Sequence, residues 1–233
     1  MASVPMMKSI LVLALIASFA GAYDPSPMQD FCVAVTDAQA AVFVNGKVCK
    51  NPKLVTADDF YIAGLAAGFN TPAGGTNLTS VGIISNFIDV DRFPGLNTMG
   101  LSVGRIDFEP NGLIPLHYHP RGSEVVFVLE GTLYVGFVTS NAQNIGKNEV
   151  FAKILNPGDA IIFPVGLIHF LYNVGRTNAV AFGSFNSQKP GFVYLANAVF
   201  GPAPPISDDV LAKTFHLEKK IVQFLQAQNW SLA

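Results

Sequence analysis

Three of the four histidines in the chain fall in two short boxes, and a glutamate sits with the first pair. The first box reads Gly112-Leu-Ile-Pro-Leu-His117-Tyr-His119-Pro-Arg-Gly-Ser-Glu124 and closes at Gly131. The second reads Gly158-Asp-Ala-Ile-Ile-Phe-Pro164-Val-Gly166-Leu-Ile-His169-Phe-Leu-Tyr-Asn173. Three imidazoles and one carboxylate form a ligand set for a transition metal. A lone His-x-His, or one histidine in an apolar run, is more often an ordinary surface or core residue. The joint pattern is far more specific: His-x-His-x4-Glu, then Gly-x5-Pro-x-Gly-x2-His-x3-Asn. The remaining histidine, His216, lies between two helical segments near the C-terminus and reads as structural.

These side chains need strands to hold them. His117 and His119 are two apart, so on a strand both face one side while Tyr118 faces the other. Pro120-Arg-Gly-Ser123 reads as a turn that returns Glu124, at the head of the next strand, toward that face. Pro164-Val-Gly166 turns the chain into a strand carrying His169, with Asn173 facing the same way. Inward projection into a barrel would let all four ligands meet at one ion.

From Leu78 to Phe200 the chain alternates short β-branched and aromatic runs with Gly, Pro and Asn. Strands are expected over Val81–Ile88, Met99–Phe108, Glu124–Glu130, Leu133–Thr139, Val150–Leu155, Ala160–Phe163, Leu167–Val174, Ala179–Phe185 and Phe192–Phe200. That spacing argues an all-β sandwich or barrel across residues 78–205. Val125-Val-Phe-Val-Leu129 is apolar on both faces, as in a strand buried twice or facing a partner subunit. After Pro202-Ala-Pro-Pro205, Ser207-Asp-Asp209 reads as a helix N-cap with acid in the first turn. Val210–Phe215 and Glu218–Gln228 carry helical periodicity, with Leu217, Ile221, Val222 and Leu225 forming one stripe. This C-terminal segment, 206–233, either docks on its own barrel or clasps a neighbouring subunit. Residues 23–77 form a loop-rich N-terminal arm.

Residues 1–22 read as a secretory signal peptide. Lys8 supplies its positive region, Ile10–Phe19 its apolar run, and Ala20-Gly-Ala22 its cleavage site, so that Tyr23 begins the mature chain. No later stretch reaches the roughly 18 uninterrupted apolar residues that a membrane span needs. Residues 23–233 are enough for one large β domain, which buries about 70% of its unfolded surface at this size. Half the residues are apolar and only 13% are charged. Such a surface suits coverage by other subunits. The formal charge of −2 leaves no basic field for nucleic acid or anionic membrane. Cys32 and Cys49 are the only cysteines. In an oxidising compartment they are expected to pair, which would contribute on the order of 3 kcal/mol. Their spacing is wrong for a zinc knuckle. Asn77-Leu-Thr79 and Asn229-Trp-Ser231 are glycosylation sequons.

The two boxes resemble the paired motifs of the cupin superfamily. More narrowly, the chain resembles the plant germin-like proteins over nearly its whole length. The matching stretches include Tyr23-Asp-Pro-Ser-Pro-Met-Gln-Asp-Phe-Cys32, Gly46-Lys-Val-Cys49-Lys, Gly95-Leu-Asn-Thr-Met-Gly100, Arg105-Ile-Asp-Phe108, His119-Pro-Arg121 and Asn197-Ala-Val-Phe-Gly201. The resemblance implies a cupin β-jelly-roll barrel with a disulfide-pinned N-terminal arm and C-terminal α-helices. It implies one Mn2+ held by His117, His119, Glu124 and His169, and a Cys32–Cys49 disulfide. It also implies a glycosylated protein of the extracellular space, the apoplast or cell wall. Its implied assembly is a homohexamer, a trimer of dimers with interlocking C-terminal helices. Manganese rests on the resemblance, since this donor set binds zinc or copper at least as tightly.

The resemblance brings two activities, superoxide dismutation and oxalate oxidation. Oxalate oxidases of this group are thought to hold their substrate with two asparagines, at the positions of Gly104 and Ile114 here. Neither residue has a side-chain donor, and each unsatisfied charged contact would cost roughly 1–3 kcal/mol. Leu116 also departs from the family's proline without touching the ligands. Dismutation asks less of the pocket: an accessible redox ion and protons. Asn173 is at most a hydrogen-bonding residue behind the ligands, and a strand-end hydrogen bond explains it as well. The rival reading is a non-catalytic wall or defence protein with a structural metal. A nucleotide-sugar phosphodiesterase in the same barrel has no Gly-rich phosphate loop here to support it.

Overall fold

A computed structural model of the chain describes residues 33–35, 42–43, 46–65, 76–140 and 147–230. The signal segment, Tyr23, Cys32 and Ser231 lie outside them. Two short strands, β1 (Val42–Phe43) and β2 (Val48–Cys49), pair with each other in the N-terminal arm. Then come β3 (Thr76–Leu78), β4 (Ile83–Ile88), β5 (Ser102–Phe108), β6 (Leu113–Tyr118), β7 (Glu124–Glu130) and β8 (Leu133–Val138). They are followed by β9 (Val150–Leu155), β10 (Ala160–Phe163), β11 (His169–Asn173), β12 (Ala179–Phe185) and β13 (Val193–Tyr194). Three helices close the chain: α1 (Leu195–Phe200), α2 (Asp208–Phe215) and α3 (Lys219–Gln226).

The main strands form two antiparallel sheets. One has the order β10-β7-β12-β5-β4-β3 and the other β13-β6-β11-β8-β9. Among the described residues no ladder joins them, so the expected closed barrel is instead an open sandwich of two sheets. The physical reason lies at the corners: three of the four edge strands, β10, β3 and β13, have only four, three and two residues. Turns, not hydrogen-bonded strands, carry the chain from sheet to sheet.

The core fills the space between the sheets. Strand alternation sends Val126 and Val128 of β7, Ile106 and Phe108 of β5, and Ala179 and Ala181 of β12 inward. They meet Ile114, Leu133, Val135, Leu155 and Leu171 from the other sheet. Gly131, in the β7–β8 turn, takes φ +78, and a Cβ there would stand 2.5 Å from that of Ala179. The turn needs glycine both for its backbone conformation and for the close approach.

Two elements depart from the sequence expectation. Strand β6 carries His117 but has Pro115 at its centre, and proline supplies no ladder donor. The pairing with β11 accommodates it by slipping: Ile114 faces Leu171, whereas His117 faces His169. The run Phe192–Phe200 is not one strand. Only Val193–Tyr194 pairs, with Tyr118 and His117, and the next six residues form α1. Leu195-Ala-Asn-Ala198 are mostly good helix formers, and their propensity wins once the ladder ends.

At the C-terminus α2 and α3 pack on each other through buried Leu211 and Val222. His216 caps α2 in the left-handed conformation, at φ 55. Of the expected apolar stripe on α3, Val222 is fully buried, but Ile221 is outward and Phe224 beside it is 64% exposed. Among the described residues no helix is long and apolar enough to cross a membrane.

Candidate metal centre

His117 is the penultimate residue of β6, His119 follows its end, Glu124 opens β7 and His169 opens β11. Two strands of the five-stranded sheet and one of the six-stranded sheet therefore deliver their first or last inward side chains to one place. The four potential donor atoms all lie within 4.8 Å of one another. All four residues are buried, none more than 4% exposed.

Each imidazole is held by its outer nitrogen. His117 Nδ1 lies 2.9 Å from the Pro115 carbonyl oxygen, and His169 Nδ1 lies 2.8 Å from that of Leu167. His119 Nδ1 lies 2.6 Å from the carbonyl oxygen of Gly191. A carbonyl can only accept, so each Nδ1 carries the proton and donates it. That fixes the tautomer and leaves the Nε2 lone pair of each ring pointing inward, as a metal ligand requires.

The carboxylate makes the need for a cation explicit. Glu124 Oε2 lies 3.2 Å from His119 Nε2 and 3.3 Å from His169 Nε2. With the protons on Nδ1, two lone pairs face one anionic oxygen. That arrangement is stable only with positive charge among them, supplied by a metal ion or by protons. His169 Nε2 is buried and has no hydrogen-bond partner of its own. Burial pushes the His117 imidazolium down to about pKa 3, with His169 and His119 adding repulsion, so this ring stays neutral near neutrality. Burial pushes the Glu124 carboxyl up, but positive charge shared with the adjoining Nε2 atoms of His119 and His169 outweighs it and holds it at about 2. Three imidazole Nε2 atoms and one ionised carboxylate fit a divalent transition metal.

Aromatic rings pack around the cluster. Phe163 stacks on His169 with centroids 4.3 Å apart. Phe185 and Phe192 meet the ring of His119 edge-on, at 4.8 and 4.5 Å. Tyr194 lies 5.4 Å from His117, and burial raises its phenol to about 12, keeping it neutral. These contacts restrict ring rotation and keep bulk water from the ligands.

Other expected site residues are placed as follows. Ile114 is 8% exposed and belongs to the core cluster, while Gly104 faces the ring of Phe87. Asn173 is not brought to the cluster. It faces the same side of β11 as His169 but lies four residues further on, about 13 Å along a strand. Its amide donates to the carbonyls of Glu109 and Thr177, and its oxygen accepts from Gly175 N–H. Cys49 is buried at the end of β2, and its expected partner lies outside the described residues. Asn77 falls in β3, its backbone opposite Ile84, and Asn229 is exposed near the chain end.

Sequence reasoning missed the carbonyl anchors and the aromatic surround. Two anchors did have a signal, since Pro115 and Leu167 each stand two residues before the histidine they hold. The third had none: Gly191 is 72 positions from His119 and is brought in by Arg121, which binds the Lys189 and Pro190 carbonyls.

Comparison with known proteins agrees with this geometry. The chain matches the cupin family over residues 68–223. It is 52% identical over 224 residues to germin-like protein subfamily 1 member 7 of Arabidopsis thaliana, covering 96% of this chain and 93% of that protein. Member 20 of the same subfamily and organism is also 52% identical, covering 95% of each. Among solved structures it is similar to an oxalate oxidase in complex with the substrate analogue glycolate. The TM-score there is 0.75 at 38% identity, over 88% of this chain and 96% of that one. Peruvianin-I, described as a cysteine peptidase from Thevetia peruviana latex, is similar with a TM-score of 0.63 and 38% identity, over 74% of this chain and 98% of that one. A shared domain, and half-identity along nearly the whole chain, make this protein a member of the germin-like proteins of the cupin superfamily.

Proposed function

We propose that this is a secreted germin-like protein of the plant apoplast that binds one Mn2+ through His117, His119, Glu124 and His169. On this reading it dismutes superoxide to dioxygen and hydrogen peroxide and serves in wall defence or stress responses. The observation that carries the reading is the arrangement of three tautomer-locked Nε2 lone pairs around one ionised carboxylate. When bound, a redox-active ion supplies one-electron chemistry, which zinc would not. Four protein donors leave room on a six-coordinate ion for water or a small oxygen species. The chain's part is to hold three imidazole nitrogens and one carboxylate facing the ion and to restrict water at the site.

Oxalate is a poor match for the surroundings. Ile114 and Gly104 present hydrocarbon and bare backbone where a dianion needs donors. A similar oxalate oxidase bound to glycolate keeps that activity a direct point of test rather than an exclusion.

A homohexamer built as a trimer of dimers accounts for the apolar outer faces. Phe127, Leu129 and Ile162 stand exposed on the six-stranded sheet, Phe151 and Ile154 on the five-stranded sheet, and Phe224 on α3. A Cys32–Cys49 disulfide and glycans on Asn77 and Asn229 complete the proposal for the secreted form. The second reading is a non-catalytic wall protein with a structural metal. It is favoured by one feature: the ligands come from both sheets, so an ion would tie the sandwich together.

The test is metal analysis of the purified secreted protein, followed by superoxide and oxalate assays with His117→Ala as control. Bound manganese with superoxide turnover well above the control supports the enzyme. Bound metal with no turnover above the control moves the reading to the structural role. Efficient oxalate oxidation sinks the argument from Gly104 and Ile114.

A further inference from the structure

The inner face of β12 carries Ala179, Ala181, Gly183 and Phe185, which point toward the core in turn. Gly183 sits in mid-strand, laddered to Gly104 of β5 on one side and to Val126 of β7 on the other. It is not in the left-handed region, so nothing in the backbone calls for glycine. A strand-centre glycine weakens a sheet and often marks a close approach. The approach here is to a metal ligand. A Cβ at 183 would stand 2.5 Å from Glu124 Oε1 and 3.5 Å from the carboxyl carbon. The next nearest side chain, Phe185 with Cε2 at 3.5 Å, is an ordinary van der Waals contact.

Glu124 is opposite Phe185 in the ladder and reaches diagonally over Gly183 to put Oε2 beside His119 and His169. We propose that Gly183 is a positioning residue: the missing side chain is the space in which the Glu124 carboxylate stands, and so sets where the fourth ligand meets the ion. Any side chain there would push the carboxylate off its line between the two imidazoles. The inference rests on the reading of the four residues as metal ligands, and it makes the glycine part of that site.

The test combines Mn2+ titration and urea unfolding for Gly183→Ala, Glu124→Ala and the double variant. In titration of metal-stripped protein, Gly183→Ala is expected to weaken Mn2+ binding at least tenfold. In metal-free unfolding, Gly183→Ala should lower the urea midpoint of the wild-type chain but leave that of Glu124→Ala unchanged. With the carboxylate gone, the added methyl has nothing to displace. Equal Mn2+ affinity in Gly183→Ala and wild type overturns the proposal. So does an equal loss of stability in both backgrounds, which would make the glycine a requirement of the fold alone. If Gly183→Ala does not fold, the Glu124→Ala background decides: the double variant folding like its parent supports the proposal, and failing to fold overturns it. Wild-type protein that binds no Mn2+ would sink the manganese reading by itself, while the unfolding comparison still reports on the steric coupling.

Discussion

Ile114 and His117 face the same side of the five-stranded sheet although they are three positions apart, because the pairing of β6 with β11 slips between Leu171 and His169. Strict alternation would have turned one of them outward. The slip makes Ile114 both a neighbour of the His/Glu cluster along the strand and a member of the apolar core. Replacing it by asparagine, to imitate an oxalate-binding side chain, therefore buries an amide among hydrocarbon. Ile114→Asn is expected to lower unfolding free energy by roughly 2–4 kcal/mol. Urea denaturation checks this, and a midpoint equal to wild type would show that the position is wet rather than core.

Acid should destabilise the metal-stripped protein from two directions. An unfolded imidazole takes a proton near pH 6.5, whereas folded His117 refuses one until about 3. An unfolded glutamate takes one near 4.5, whereas folded Glu124 resists until about 2. In both windows the unfolded chain binds more protons, so stability falls as pH falls. The urea midpoint of the metal-free chain should drop from pH 6.5 downward, more steeply below 4.5, and the slope should be shallower in His117→Gln. A midpoint flat between pH 6.5 and 4 would contradict the neutral, buried His117.

Asn173 separates strength of fold from metal affinity. Its side chain ties together the backbones of Glu109, Gly175 and Thr177 at the end of β11 away from the ligands. Asn173→Ala leaves those buried groups short of partners, at a cost of roughly 2–4 kcal/mol. Metal affinity, measured below the new melting temperature, should stay at the wild-type value. A selective loss of metal with the melting temperature unchanged would place Asn173 in the ligand network after all.

How much of this was legible in the residues depended on whether local pattern or distant contact decided the outcome. The box spacings carried the clustering of His117, His119, Glu124 and His169, because each histidine sits beside a turn that the sequence marks with proline or glycine. Strands such as β7, β8 and β12 are rich in β-branched and aromatic residues and lie within a residue of their expected ends. Strand β6 was visible only through its histidines, since Pro115 argues against a ladder and the compensating slip is a property of the pair β6–β11. The split of Phe192–Phe200 into β13 and α1 turned on where pairing with Tyr118 and His117 ran out. Gly183 looked like any weak strand position, because the atom it makes room for lies on another strand.

The outer faces lead to the last expectation. Ile154 is 54% exposed on β9, an edge strand, and Phe224 is the most exposed large apolar residue of α3. Ile154→Lys and Phe224→Glu should each shift the assembled protein toward smaller species in light scattering, with far-UV circular dichroism unchanged. Wild-type protein that is already monomeric would remove the basis for a hexamer.

The ligands are divided between the two sheets, with Glu124 on one and His117 and His169 on the other. Because no ladder crosses between those sheets among the described residues, an ion at this position is a latch. Bonds from one ion to Glu124 and to the histidines would cross-link the two sheets where no backbone ladder does. Stripping that ion should then loosen the ends of β6, β7 and β11 first, seen as faster amide exchange there than in the rest of the sandwich.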